Sequence, residues 1–315
     1  MNRGVLYLVS TAVIWGWPTV FIKFLSSDFD VVTQSFFRYL AASVFLLIWA
    51  YFFARSDFRK ALKRPKNFII PGILVVAFQC TYVLGIYYTS AVVANLIHKT
   101  TVFFTLGLSF LFLYDEKRIM KSTSFLVGII LGTLGVLGVV MGGSPLQEVS
   151  ALKYNEGAML LLLCSFIWAI YTVLIKKIIG DLQPPVATGF VLSFSSLFFI
   201  PLVLLFGDMT VISRLPLSTN LILFGSGILC VGIGNVFYYL SVHMLGTSKT
   251  TTCLLLTPLF GAIFAYMVLG EVLTPFQLIS GALLLAGSFL IVNKELKPLS
   301  KKFKGLKQGY LQGSA

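Results

Sequence analysis

Two basic side chains stand together in Asn95 to Thr101, NLIHKTT, inside the apolar run 91–114. A lysine near the centre of a lipid-spanning helix costs roughly 2.5–3.5 kcal/mol on insertion scales, so such residues normally face an aqueous path or a bundle interior. His98 and Lys99 are therefore candidate ligand-binding residues. The plainer readings are that Lys99 snorkels towards the membrane surface and that His98 donates a hydrogen bond to a neighbouring helix. Asn95, His98, Thr105 and Ser109 fall on one stripe of a helix, with Lys99 beside it. Gln79 and Tyr82 stand three residues apart in another apolar run, and Asn235 and Tyr238 repeat that spacing in a third. Amides and phenols orient a substrate by hydrogen bonds without burying a charge. Trp15 and Trp168 lie in the middle of their runs, not at the ends where interfacial aromatics collect. They are candidate cavity walls, with packing as the alternative. Arg38 either locks a helix to backbone carbonyls or adds charge to a cavity, and its sequence context leaves both open. Lys249 lies near the end of its run and reads as a snorkelling residue.

The eleven acidic residues all sit between apolar runs or at their ends. With positive charges alone set deep, an anionic group such as a carboxylate or phosphate is the complementary cargo. No catalytic constellation is present: there is no GxSxG, HExxH, Walker loop or paired intramembrane carboxylate. Cys80, Cys164, Cys230 and Cys253 have no CxxC or Cys/His spacing and read as small buried residues, so neither metal nor cofactor is expected.

These residues are carried by hydrophobic segments. Of the 315 residues, 57% are hydrophobic and 11% charged, against about 25% charged in a soluble domain. Ten runs reach bilayer-spanning length: 4–24, 31–53, 68–88, 90–114, 122–142, 157–176, 186–206, 218–241, 246–270 and 275–292. With both termini on one side, that side holds 18 of the 24 Lys and Arg residues. The positive-inside rule then makes it the cytoplasm of a bacterial or archaeal cell. The net charge of +13 is accounted for by these loops and by the basic tail 296–315, which faces membrane lipid and not nucleic acid. Gly128xxxGly132 and Gly138xxxGly142 let the fifth run pack closely against the tenth or against a second copy in a homodimer. Pro18, Pro71, Pro201 and Pro258 are expected to kink their helices. Gly270 is expected to end the ninth, and Thr274-Pro275-Phe276-Gln277 to open the tenth with a capping box. Glu271 and Glu116 read as structural in preference to gating.

The chain also repeats itself. The pattern IWxxxTVxIK at Ile14–Lys23 returns at Ile167–Lys176, offset by 153 residues. Gln79 and Tyr82 return as Asn235 and Tyr238 at 156, and Glu116 returns as Glu271 at 155. Two five-helix halves, 1–145 and 155–295, follow. Five is odd, so the halves have opposite topology in the membrane, the arrangement of transporters that work by alternating access around a central site.

This layout resembles the drug/metabolite transporter superfamily, specifically its EamA-like branch with paired five-helix repeats. The features that carry the resemblance are the IW pairs of the first and sixth runs, Arg38, and TSKTTTCLLLTPLFGAIFAYMVLGEVLTPFQLISGALLLAGSFLIV (247–292) with Pro258 and Gly270-Glu271. Phe103 and Asp115 depart from that pattern in the first half. The resemblance implies an all-α integral membrane carrier with a central cavity, and its outward direction of transport. Small metabolites such as amino acids are the leading cargo, and exchange of sugar-phosphate or nucleotide-type anions is the alternative. An intramembrane enzyme would need a nucleophile–base pair, for which Ser or Thr near His98 is the weak candidate. A channel would show conductance well above carrier rates, and a scaffold or receptor would have no need of inverted symmetry.

Overall fold

The computed structural model describes residues 3–112, 123–142, 151–178, 182–245 and 254–290, which are helical with no strand among them. Glu116, Lys249, Thr250, Cys253 and the tail lie outside the described residues, as do the side chains of Ser109 and Lys176. Six helical stretches are long and apolar enough to cross a membrane: Arg3–Ser27, Val31–Phe53, Pro65–Tyr88, Leu152–Ile175, Pro184–Phe206 and Leu217–Tyr238. Shorter apolar helices cover Leu126–Met141, Leu254–Leu269 and Pro275–Leu290.

The first stretch is α1 (Arg3–Ile14) and α2 (Pro18–Phe24), separated at Trp15-Gly16-Trp17. Pro18 has no N–H to continue α1, so it opens a new helix. Next, α3 (Val31–Phe53) starts on the Asp30 carboxylate, which accepts from the N–H groups of Val32 and Thr33 at 2.9 and 2.8 Å. A short surface helix, α4 (Arg55–Leu62), leads to α5 (Ile69–Tyr88). In α4, Asp57 accepts from Lys60 Nζ at 2.8 Å and from the Gln183 N–H at 3.0 Å. The Lys60 hydrogen bond, with that of Gln183, holds its carboxyl below the usual carboxylate range.

The fourth run is not the continuous helix its polar stripe predicts. It is α6 (Ala91–His98) and α7 (Thr101–Phe112), broken at Lys99-Thr100. Then follow α8 (Thr123–Met141), α9 (Ala151–Ile178) and α10 (Pro184–Phe206). After a short α11 (Val211–Arg214), the eighth run begins with α12 (Leu217–Ser226). It widens into a π-helical stretch at Gly227–Ile233 and resumes as α13 (Gly234–Leu245). A 3₁₀ turn at Leu254–Leu256 leads into α14 (Thr257–Leu269), and α15 (Pro275–Leu290) closes the described chain. Pro258 sits in the first turn of α14 and starts this helix; it does not kink one. Gly270 ends α14 at φ +66°, where a side chain would be strained. The capping box forms as its spacing predicts: the Gln277 N–H reaches Thr274 Oγ1 at 3.2 Å, and the Thr274 N–H reaches Gln277 Oε1 at 3.0 Å.

Packing crosses between the residues before 145 and those after 155. The most extensive contacts are α5 on α9 and α3 on α10, with α1 on α13 next. One apolar cluster joins Val20, Ile86, Ala94, Leu161 and Ala265; a second joins Leu46, Val75, Phe190 and Phe199. Outward faces carry Phe52, Phe53, Leu205 and Phe206 at 71–75% exposure, an apolar surface suited to lipid and not to water. Of the two neighbours its glycines allow, the fifth run packs on α15 of its own chain. A side chain at Gly135 would strike the Leu284 backbone, and one at Gly138 would strike Ser280.

Candidate functional site

The site lies where three interruptions of helix meet: Trp15–Trp17, Lys99-Thr100 and the π stretch. At Lys99-Thr100 the hydrogen bonds tighten. The Lys99 N–H reaches Leu96 O at 3.0 Å and the Thr100 N–H reaches Ile97 O at 2.9 Å, both spanning three residues and not four. Thr101 Oγ1 donates to His98 O at 2.7 Å. The C-terminal end of α6 thus runs directly into α7 through a tightened turn at the cavity wall.

The opposite end of α6 is fixed from outside its own run. The Glu271 carboxylate accepts from the N–H groups of Ala91 and Val92 at 2.9 and 3.0 Å, and Ser90 Oγ accepts from Val93 at 3.2 Å. Three residues earlier, Lys23 Nζ donates to the carbonyls of Ile86, Tyr87 and Thr89 at 3.2, 3.0 and 2.7 Å, closing the C-terminus of α5. Anion at a helix start and cation at a helix end each match the helix dipole. Thus Glu271 has a structural role, as expected, and Lys23 is a helix cap.

Between these features lies a cavity of about 300 Å³. Nine of the ten residues singled out above line it: Trp15, Arg38, Gln79, Tyr82, Asn95, His98, Lys99, Trp168 and Asn235. The tenth, Tyr238, stands behind the wall with its ring 5.1 Å from that of Trp15.

Several of the nine are also tied into the scaffold. Trp15 Nε1 donates to Cys230 O at 3.1 Å, and Asn235 Nδ2 donates to Val231 O at 2.5 Å, so both occupy carbonyls of the π stretch. Arg38 is 2% exposed and donates through Nε to Ser226 Oγ at 3.0 Å, while Ser226 donates to Leu223 O at 2.8 Å. Its lock is thus a hydroxyl instead of a carbonyl, and it borders the cavity as well. A side chain at Gly227 would run into the Arg38 carbonyl, so α3 approaches the π stretch as closely as a glycine permits. Tyr39 OH donates to Gln79 Oε1 at 2.9 Å and orients that amide. His98 packs its ring 5.2 Å from Tyr82 and 5.6 Å from Phe78, with Nδ1 3.4 Å from Ser165 Oγ on α9. Lys99 is half-buried at the cavity wall, and its ammonium makes no hydrogen bond or ion pair with the described residues.

No Asp or Glu lines this cavity, and no group of three or more His, Cys, Asp or Glu residues converges among the described residues. The cavity thus joins two cations to an aromatic wall with neutral amides between them. Sequence reasoning missed Tyr39, Phe78 and Thr101 as wall residues. Each had a signal: Tyr39 adjoins Arg38, Phe78 lies one helical turn before Tyr82, and Thr101 follows the His98-Lys99 pair.

The model of the EamA-like transporter family matches residues 2–141 and again residues 155–293. The chain belongs to this family. A protein of Archaeoglobus fulgidus described as an uncharacterized transporter is 27% identical over 299 residues, spanning 92% of this chain and 97% of its own. A protein of Escherichia coli K12 named "Probable amino-acid metabolite efflux pump" is 26% identical over 303 residues, spanning 92% of this chain and 94% of its own. A solved structure sharing 17% identity superposes with a TM-score of 0.62 over 92% of this chain and 96% of its own, a likeness of fold. The EamA-like chain is accordingly a membrane transporter, and the names of its family and relatives point away from catalysis.

Proposed function

We propose that the protein is a secondary transporter that carries small metabolites bearing a carboxylate, amino acids or related compounds, outward across the cytoplasmic membrane by alternating access. The observation that carries this reading is the cavity of about 300 Å³, which presents Arg38 and Lys99 with no acidic residue among the described residues of its wall. An anion entering it meets two cations, one of them without a side-chain partner among the described residues, in surroundings where charge is weakly screened. Two helices, α7 and α14, start at this wall with Thr101 and Thr257, 156 residues apart. The same offset separates Gln79 from Asn235. This correspondence supports two repeated halves; the odd number of spans per half and the placing of 18 of the 24 Lys and Arg residues on one side support their inverted orientation with both termini cytoplasmic. The name of the Escherichia coli relative supports the outward direction and the cargo class.

The test is counterflow in proteoliposomes with pooled labelled amino acids, organic acids and sugar phosphates, on the wild type and Lys99→Ala. Saturable carboxylate transport that is lost in the variant supports the reading. Preference for sugar phosphates turns it into an anion exchanger, and currents far above carrier rates turn it into a channel. Transport unchanged in Lys99→Ala removes Lys99 from the site.

A further inference from the structure

We infer that the cavity takes aromatic carboxylates without an ammonium group, aryl-2-oxo acids or arylacetic acids, in preference to the amino acids of the same side chain. This rests on the transport reading above and narrows its cargo.

The first ground is the wall. Phe78 stands 4.7 Å from Trp168 and 5.3 Å from Tyr82, and Tyr82 stands 5.2 Å from His98. These four rings make one connected aromatic face on the cavity, and Trp15 stands on its wall as well, backed by Tyr238. Offset and edge-on ring contacts favour a flat aromatic guest beyond the area it buries.

The second ground is the balance of donors and acceptors. Arg38 and Lys99 supply donors for a carboxylate, whereas an α-ammonium needs acceptors; none of the described wall residues is a carboxylate, and three of the neutral acceptors already hold a donor. Trp15 takes Cys230 O, Asn235 takes Val231 O, and the Tyr39 hydroxyl takes Gln79 Oε1. The aromatic face could attract an ammonium through its rings, but the same small cavity holds two like charges that repel it. The third ground is size: about 300 Å³ lies at the lower limit of small-molecule sites and suits one ring with a short acidic arm.

Counterflow in proteoliposomes distinguishes the features with three probes: phenylpyruvate (ring and carboxylate), phenylalanine (the same with ammonium) and pyruvate (carboxylate without ring). The expected result is a rate-to-KM ratio for phenylpyruvate at least tenfold above either of the others. Phenylalanine equal to or better than phenylpyruvate overturns the exclusion of ammonium, and pyruvate equal to phenylpyruvate overturns the aromatic selection. Either leaves the transport reading standing. No movement of any of the three, together with no transport of the wider metabolite pool, overturns that reading itself. Gln79→Glu supplies a second check. It keeps the oxygen that Tyr39 needs while adding a carboxylate to the wall. It is expected to move the preference at least threefold towards phenylalanine; an unmoved or opposite ratio overturns the account of why ammonium is excluded.

Discussion

The turn between α5 and α6 and the break between α6 and α7 lie at opposite ends of the same short helix, and they treat charge in opposite ways. At the turn, Lys23 donates to three carbonyls and Glu271 accepts from two N–H groups, each charge spent on a helix end. At the break, Lys99 borders the cavity with none of the described residues as a partner. Both lysines stand in apolar runs, yet the first completes the scaffold and the second, under the proposed function, is left for a guest. On that proposal, structural and functional charge differ in satisfaction and not in residue type.

The contrast is broken most directly at Lys99. Lys99→Met is expected to lower transport tenfold or more, the loss of one charge-assisted contact of about 1.5–3 kcal/mol, while leaving the thermal midpoint in detergent nearly unchanged. If Lys99→Met proved as unstable as Lys23→Met, the contrast would disappear. Glu271→Ala tests the other side. It strands two buried N–H groups, at a cost of about 1–3 kcal/mol each, and should lower the thermal midpoint clearly, with Glu271→Gln retaining part of it. Lys23→Met should destabilise less than Glu271→Ala, since the carbonyls it frees can accept other donors. Behind the Arg38 wall, Ser226→Ala removes the hydroxyl that holds Arg38. KM is expected to rise about threefold to tenfold, with the maximal rate nearly unchanged and Ser226→Thr restoring KM. The smallest effect belongs to Asp57, far from both regions. Lys60 depresses its carboxyl, so the contact contributes stability that is fully present above about pH 4 and is lost as pH falls through the lower folded value. Melting curves between pH 6 and 3 should show this slight acid sensitivity, and Asp57→Asn should flatten it.

Features set by neighbours in sequence were legible in advance. The Thr274–Gln277 capping box and the Gly270 terminus each depend on a few consecutive residues. Nine of ten candidate residues reached one cavity because polar groups in apolar runs have few other places to go. The break at Lys99-Thr100 was not legible, since it contains neither proline nor glycine. Nor were the π stretch, whose carbonyls are held by Trp15 from 215 residues away, and the Lys23 cap on carbonyls 63–66 residues further on. Those depend on partners that come close only when the chain is folded.

The two bonds from Glu271 to the start of α6 also impose an order on biosynthesis. Glu271 follows the groups it holds by 179 and 180 residues. At about 5–20 residues per second, the turn waits on the order of 10–40 s in the membrane with its carbonyls capped and its N–H groups open. The amino-terminal half therefore cannot finish its own architecture when it leaves the ribosome, and a quality-control protease that senses unpaired backbone has that interval in which to act.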